Sequence, residues 1–404
     1  MFWQSPVDNA LSNLKKNIHA PLRVILWDGR EVDLSGGGPR VTVRLKEASA
    51  ASALARPSLL TLAEAYIEGH ADLEGDMREA IRSAEAIARS ANRTLFDQTA
   101  APAHHSKRVD RDAIRHHYDV SNEFYALWLD PRMVYSCAYF REESDSLETA
   151  QLQKLDHICR KLRLAPGERF LDIGCGWGAL VIRAAEKYGV DATGITLSEN
   201  QHRLANERIR AAGLEDHCRV LLQDYRDHPG DGTYDKIASV GMFEHVGLRN
   251  LPTYFGTVKR LLRERGLFMN HGITAANTGN RPVGMGGGEF IGRYVFPKGE
   301  LPHLHLVARD MSDQSLEVHD VECLRAHYAK TLDLWSANFE RHLAEALAAA
   351  DERTTRIWRL YLAGCAHAFE QSWVSIYQVL ASKQTHPGRS ELPLTRDWIY
   401  RDDA

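Results

Sequence analysis

No stretch of this 404-residue chain approaches the roughly 18 to 20 uninterrupted apolar residues of a membrane-spanning helix. Its first residues, MFWQSPVDNALSNLKK, lack the basic start and long apolar centre of a secretory leader. An excess of one charge is also missing. Fifty basic residues face 54 acidic ones, for a net charge of −4, which argues against a general nucleic-acid binder. The six cysteines (137, 159, 175, 218, 323, 365) form no CxxC pair, and there is no HExxH. That disfavours a disulfide framework and a zinc site, so no metal is expected, and it fits a reducing cytoplasm. The glycine run GMGGGEF (284–290) follows no strand and leads to no GK[ST], so it is not a phosphate loop.

The length suits two or three domains. Residues 1–90 read as a small α+β unit. PLRVILWDGREVDL gives two short strands around an Asp28-Gly29 turn, RVTVRL (40–45) alternates like a half-buried strand, and Ser58 and Gly69 bracket a helix. Residues 91–112 mix small, polar and basic types and read as a linker, with His104 and His105 in a solvated loop. From 113 to 404 the pattern becomes α/β. A helix over QLQKLDHICRKLRL precedes RFLDI (169–173), DATGIT (191–196), CRVLL (218–222), YDKIASV (234–240) and GLFMNHGI (266–273) as strands. Helices separate them, LPTYFGTVKRLLRERG being the last, and strands alternating with helices imply a parallel sheet. Beyond 335, Trp335, Phe339, Trp358, Tyr361, Phe369, Trp373 and Tyr377 suggest helices with aromatic faces, which leaves open packing on the sheet or a homodimer contact.

LDIGCGWGAL (171–180) places three glycines directly after a buried strand. Gly174-x-Gly176-x-x-Ala179 satisfies the loose dinucleotide pattern, whose physical content is close approach of a ligand to backbone at a helix N-terminus. Two neighbours separate the candidate ligands. The second strand ends in Gly194-Ile195-Thr196, without the acid that a dinucleotide ribose wants. Asp172, inside the first strand, would repel a pyrophosphate but could bind the ammonium of an amino-acid ligand. S-adenosylmethionine has that ammonium and no phosphate, so the fold expected is a class I S-adenosylmethionine-dependent methyltransferase, Rossmann-like α/β, with a small N-terminal α+β domain. Asp224 can accept from the adenine amino group or simply form a loop turn. Gln201, three residues after Ser198, belongs either to the cofactor site or to a capping box.

RHHYDVSNEFYALWLDPRMVYSCAYF (115–140), LDIGCGWG, GITLSENQ, MFEHVG (242–247) and NHGI (270–273) together resemble the cyclopropane fatty acid synthase family. That family includes the bacterial phospholipid enzymes and the mycolic acid cyclopropane synthases. LAEAYIEGHADLEGDM resembles the additional small, lipid-associated domain of the phospholipid type. The resemblance implies transfer of a methylene from S-adenosylmethionine to the cis double bond of an unsaturated phospholipid acyl chain, with bound bicarbonate as base. It places the bicarbonate-holding residues at Cys137, Glu244, His271, the Ile273 backbone and Tyr328. Tyrosine and histidine can donate to an oxyanion. Glu244 would accept the bicarbonate proton or orient His271. It also implies cofactor contacts at Tyr135, Ser136, Gly174, Gly176, Thr196, Gln201, Tyr225 and Arg226, beside Asp172 and Asp224.

An enzyme of this kind without a span must work from the cytoplasm as a peripheral visitor to the membrane's inner face. Phe124, Tyr125, Leu127 and Trp128 are candidates for lipid contact. Tyr294, Val295 and Phe296 are candidates for a flap hinged on the glycines at 284–288. The rivals are a methyltransferase adding a methyl branch to an acyl chain, one acting on a small molecule, and a lipid binder without catalysis.

Overall fold

The computed structural model describes residues 11–12, 14–16, 18–36, 38–91, 94–97, 105–107, 120–385, 388 and 391–401. His104 and the RHHY of 115–118 lie outside them. The described residues gather into two compact units. One comprises the stretches up to residue 100, 281–297 and 332–373; the other comprises 101–280, 298–331 and 374 onward.

The first unit carries a four-stranded sheet of order β2-β1-β3-β4, from β1 (Leu22–Ile25), β2 (Glu31–Asp33), β3 (Val41–Leu45) and β4 (Ala71–Gly75). β1 and β2 form the expected antiparallel pair around Asp28-Gly29. Ser58 caps helix α1 (Leu59–Ile67), its hydroxyl accepting from Thr61 N at 3.0 Å, and Gly69 follows its end in the left-handed region. Helix α2 (Met77–Ser90) and helix 352–370 pack together. Arg359 links Glu340 at 2.6 Å to the Tyr66 hydroxyl at 3.0 Å. Beyond the expected N-terminal stretch, this unit gathers two later segments, 281–297 and 332–373. An amphipathic pattern such as that of 352–370 specifies a buried face, but not which core it enters.

Two expectations fail in this unit. Residues 94–97 are not linker, because Phe96 bridges Val283 and Gly284 N donates to Leu95 O at 2.7 Å. The glycines at 284–288 answer close packing rather than a hinge. A Cβ on Gly284 would lie 2.3 Å from Thr94 O, and one on Gly286 2.8 Å from Leu60 Cβ. Residues Gly287–Tyr294 are helical, Val295 is buried, and Phe296 packs edge-on against Tyr361.

The second unit is built on a seven-stranded sheet of order β10-β11-β9-β8-β5-β6-β7. Its strands are β5 (Arg169–Ile173), β6 (Asp191–Thr196), β7 (Cys218–Leu222), β8 (Tyr234–Val240), β9 (Leu262–Ala275), β10 (Leu316–Cys323) and β11 (Val374–Lys383). β5 to β9 run parallel, as the alternation predicts. β11 and β10 are antiparallel additions, so the sheet is mixed rather than all-parallel. Tyr377, expected on a helix, lies in β11, and helix Leu251–Leu261 stops one turn early because β9 begins at Leu262. One face of the sheet buries Phe170, Ala192, Val220, Met269 and Leu380 against helices α3 (Leu147–Lys161), α4 (Ala179–Tyr188) and α5 (Glu199–Ala211). The other buries Leu171, Ile237 and Phe268 with Tyr254, Phe255 and Val258.

Candidate functional site

The chain runs outward from β5 to β6 and β7, then returns to β8 on the other side of β5. Such a reversal opens a crevice at the carboxyl ends of the strands, the usual ligand position in open α/β sheets. A cavity of about 140 Å³ lies there, within the second unit. All ten cofactor residues expected from sequence line it: Tyr135, Ser136, Asp172, Gly174, Gly176, Thr196, Gln201, Asp224, Tyr225 and Arg226.

Gly174 and Gly176 have φ of +82° and +56°, a backbone region that disfavours side chains. A Cβ on Gly174 would also stand 2.8 Å from Met242 Cγ. The turn thus brings bare backbone to the cleft just before α4. Gln201 settles between its two readings. Ser198 Oγ does accept from Gln201 N, at 3.4 Å, but the Gln201 side chain does not return to Ser198 N; its Oε1 accepts from Thr196 Oγ1 at 2.8 Å. Half a capping box therefore leaves the amide on the cleft wall. Asp224 caps the short turn Tyr225–Asp227 and holds the Arg226 guanidinium at 2.6 and 2.9 Å, which keeps its carboxylate below the ordinary range despite burial. It lines the cleft already paired.

The floor of the cleft carries charges of both signs. Burial raises the Asp172 carboxyl to about 7, with Lys154 opposing the shift, and Asp172 Oδ1 is buried without a hydrogen-bond partner. Burial lowers Lys154 to about 8; its Nζ donates to Ser136 Oγ at 2.8 Å. Sequence reasoning missed Lys154. The available signal was a cation on the apolar stripe of α3, between Gln151 and Ile158. Gln151 Nε2 donates to Ser136 O at 2.9 Å, so α3 fixes the strip 134–136 from two successive turns.

Phe124, Tyr125 and Trp128 are fully buried, which removes them as lipid contacts. Tyr125 packs 5.7 Å from Tyr135 and 5.1 Å from Trp177, and Trp128 stands edge-on to Tyr135, so they brace the cleft wall from behind. His105 is likewise not solvated: its side chain is 4 % exposed, packed where any Cβ on Gly247 would collide with it, and 3.9 Å from Glu300.

The five expected catalytic positions do not line the cleft; they form two groups behind its rim. Glu244 sits in the turn Phe243–His245; His245 and the flanking Met242 and Val246 do line the cleft. Its Oε1 accepts from Ile273 N at 2.6 Å, while Oε2 is buried without a partner. Burial raises Glu244 to about 7, against the pull of that N–H. The Ile273 N–H, expected at an oxyanion, is thus taken by Glu244. His271 lies on the same face of β9 as Ile273, and burial holds its imidazole well below the usual range, hence neutral. Gln378 Nε2 faces His271 Nδ1 at 3.3 Å; with that amide nitrogen as donor, Nδ1 accepts and the imidazole proton sits on Nε2. That Nε2 is buried without a partner. Gly272 lets the turn close over the strand, since a Cβ there would lie 1.8 Å from Phe243.

In the second group, Cys137 is buried beside Leu324 O and donates to Ala138 O at 3.2 Å; burial pushes its thiol far up, so it stays protonated. Tyr328 is buried one turn into the helix Arg325–Arg341, its N–H donating to Leu324 O. The two groups flank one residue of β11: Ile273 pairs with Ile376, whose carbonyl accepts from Leu324 N. Among the described residues, no cluster of three or more His, Cys, Asp or Glu could hold a metal, and no helix is long and apolar enough to cross a membrane.

Comparison with known proteins identifies the family. The mycolic acid cyclopropane synthetase family matches residues 105–379, and a domain of unknown function matches 11–94. A probable fatty acid methyltransferase of Pseudomonas putida is 51 % identical over 96 % of this chain and 98 % of its own. The cyclopropane-fatty-acyl-phospholipid synthase of Escherichia coli K12 is 41 % identical over 68 % of each chain. A solved mycolic acid cyclopropane synthase complexed with SAH and CTAB is 36 % identical, covering 68 % of this chain and 98 % of that one, with a TM-score of 0.64. The chain therefore belongs to the mycolic acid cyclopropane synthetase family, as an S-adenosylmethionine-dependent methyltransferase.

Proposed function

We propose that this enzyme transfers a methylene from S-adenosylmethionine to the cis double bond of an unsaturated phospholipid acyl chain, closing a cyclopropane ring with bicarbonate as base. The observation that carries this reading is the pair of buried, unpartnered polar atoms Glu244 Oε2 and His271 Nε2 behind the cleft. Buried polar atoms left alone are costly and call for a missing partner.

A π bond is a weak nucleophile, and its attack on a sulfonium methyl leaves a carbocation. The ring closes only when a proton leaves the new methyl. Bicarbonate, when bound, supplies the base for that proton. The residues present fit such an ion: neutral His271 offers Nε2–H as donor, and Glu244, raised to about 7, takes up or releases a proton near neutrality. Ile273 N–H fixes the other Glu244 oxygen, and Tyr328 adds a phenol in this reading. The protonated Cys137 thiol is proposed as an uncharged wall that keeps the chamber dry.

The substrate resides in a bilayer, so the reading requires peripheral attachment at the membrane's inner face, and we assign the N-terminal unit to lipid association. A second reading, in which the methyl stays as a branch, is compatible with the Pseudomonas relative's name, probable fatty acid methyltransferase, which mentions no ring. Expression in a bacterium lacking its own synthase, followed by mass spectrometry of fatty acid methyl esters, tests both. An added CH2 with loss of the alkene supports the ring. An added CH2 in an open-chain methyl-branched product supports the branch. An unchanged profile despite confirmed cofactor binding overturns the lipid reading.

A further inference from the structure

Lys154 is 2 % exposed and lines the cleft. An ammonium can donate three hydrogen bonds; this one makes a single bond, to Ser136 Oγ. Among the described residues it forms no ion pair, and Asp130 and Asp172 act on it only at longer range. Across the same cavity Asp172 Oδ1 has no partner. Two opposite buried charges share one cleft and attract each other without forming an ion pair. A buried charge is tolerated when a partner arrives for it. The ligand that would satisfy both is a zwitterion, and the cofactor's amino-acid tail is one.

We propose that Lys154 is the counter-charge for the carboxylate of that tail, working opposite Asp172, which takes the ammonium. The depressed ammonium and elevated carboxyl are what two unpaired buried charges should show before such a ligand binds. The competing role is a staple, in which Lys154 merely holds Ser136 as Gln151 does. The two roles differ in which part of the ligand senses the lysine.

The inference rests on the cleft being the cofactor site, and the test separates the two. Calorimetry on the full chain compares S-adenosylhomocysteine, its decarboxylated analogue and 5′-methylthioadenosine, which lacks the tail. Lys154→Met is expected to weaken S-adenosylhomocysteine by about tenfold to a hundredfold, the range of one charged hydrogen bond. It should change the other two ligands by less than about threefold. The native protein alone should bind the decarboxylated analogue about tenfold or more weakly than S-adenosylhomocysteine. That comparison stands even if the variant fails to fold. Equal native affinity for those two ligands overturns the proposal, as does an equal loss of S-adenosylhomocysteine and 5′-methylthioadenosine in Lys154→Met. If native protein binds no S-adenosylhomocysteine at all, the assignment of the cleft falls with it.

Discussion

The cleft and the chamber behind its rim solve opposite problems with the same sheet. The cleft is open, its glycine turn is bare backbone, and much of its polar wall is already paired: Thr196 with Gln201, Asp224 with Arg226, Ser136 with Lys154. Behind the rim the side chains are buried, and Glu244 and His271 each satisfy one atom internally while leaving the other alone. A site that binds and releases a large cofactor gains from preorganised walls. A site that handles one proton gains from groups poised near neutrality in a dry place. On the proposed roles, binding and proton transfer should be separable by mutation, although Met242 and His245 connect the two regions through one turn.

The largest expected effect breaks the chamber and spares the cleft. Glu244→Ala should lower turnover by at least about a hundredfold, the usual scale of a lost acid–base group, with S-adenosylhomocysteine affinity within about threefold of native by calorimetry. Comparable losses in both would mean that the two regions are one site. The converse change is Asp172→Asn, which should weaken S-adenosylhomocysteine by about tenfold or more while affecting 5′-methylthioadenosine little.

pH sharpens the cleft side. In the proposed reading the ammonium binds ionised Asp172, whose carboxyl burial raises to about 7. Affinity for S-adenosylhomocysteine should therefore fall as pH drops below 7, by close to tenfold between pH 7.5 and 6. It should fall again above about 8 as Lys154 loses its proton. The other groups acting on Asp172 are Cys175 and Tyr254, both buried and neutral throughout this window. Asp172→Asn should abolish the low-pH slope alone, which titration at three pH values would check.

The smallest effect concerns stability. Glu244 in the folded chain holds its proton to about 7, above the carboxyl's ordinary 4.5. The unfolded state gives up that proton first, so this group's contribution to stability declines as pH rises from 4.5 to 7 and is flat beyond. Glu244→Gln should thus raise the melting temperature at pH 8 by about 2–5 °C, with the gain vanishing by pH 4.5. A gain that persists at low pH would reject burial of the charge as its cause.

Legibility followed the range of the interaction. RFLDIGCGWG could be read because a buried strand, a glycine turn and a helix start are adjacent in sequence, and because a carboxylate two residues before the turn has few chemical uses. The Asp28-Gly29 hairpin and the Ser58 cap were legible for the same reason. Lys154 was not, since nothing in QLQKLDHICRKLRL says that the stripe facing inward borders a cavity. Gln378 was missed because β11 was taken for part of a helical region. Its pairing with His271 depends on an antiparallel strand entering from more than a hundred residues downstream. The 284–288 glycines read as a hinge because a small residue looks alike whether it supplies freedom or makes room.

By itself, the sequence determined the strand–turn–helix that lines the cleft, the charge at the cleft's floor and the family to which the motifs belong. These are local matters, set by residues that touch their chain neighbours. Only the tertiary structure decided that helix 352–370 serves the N-terminal unit, that the sheet ends in two antiparallel strands, and that Glu244 spends one oxygen on Ile273. Those outcomes depend on sheet register and on which buried face meets which, and both are set by partners distant in the chain.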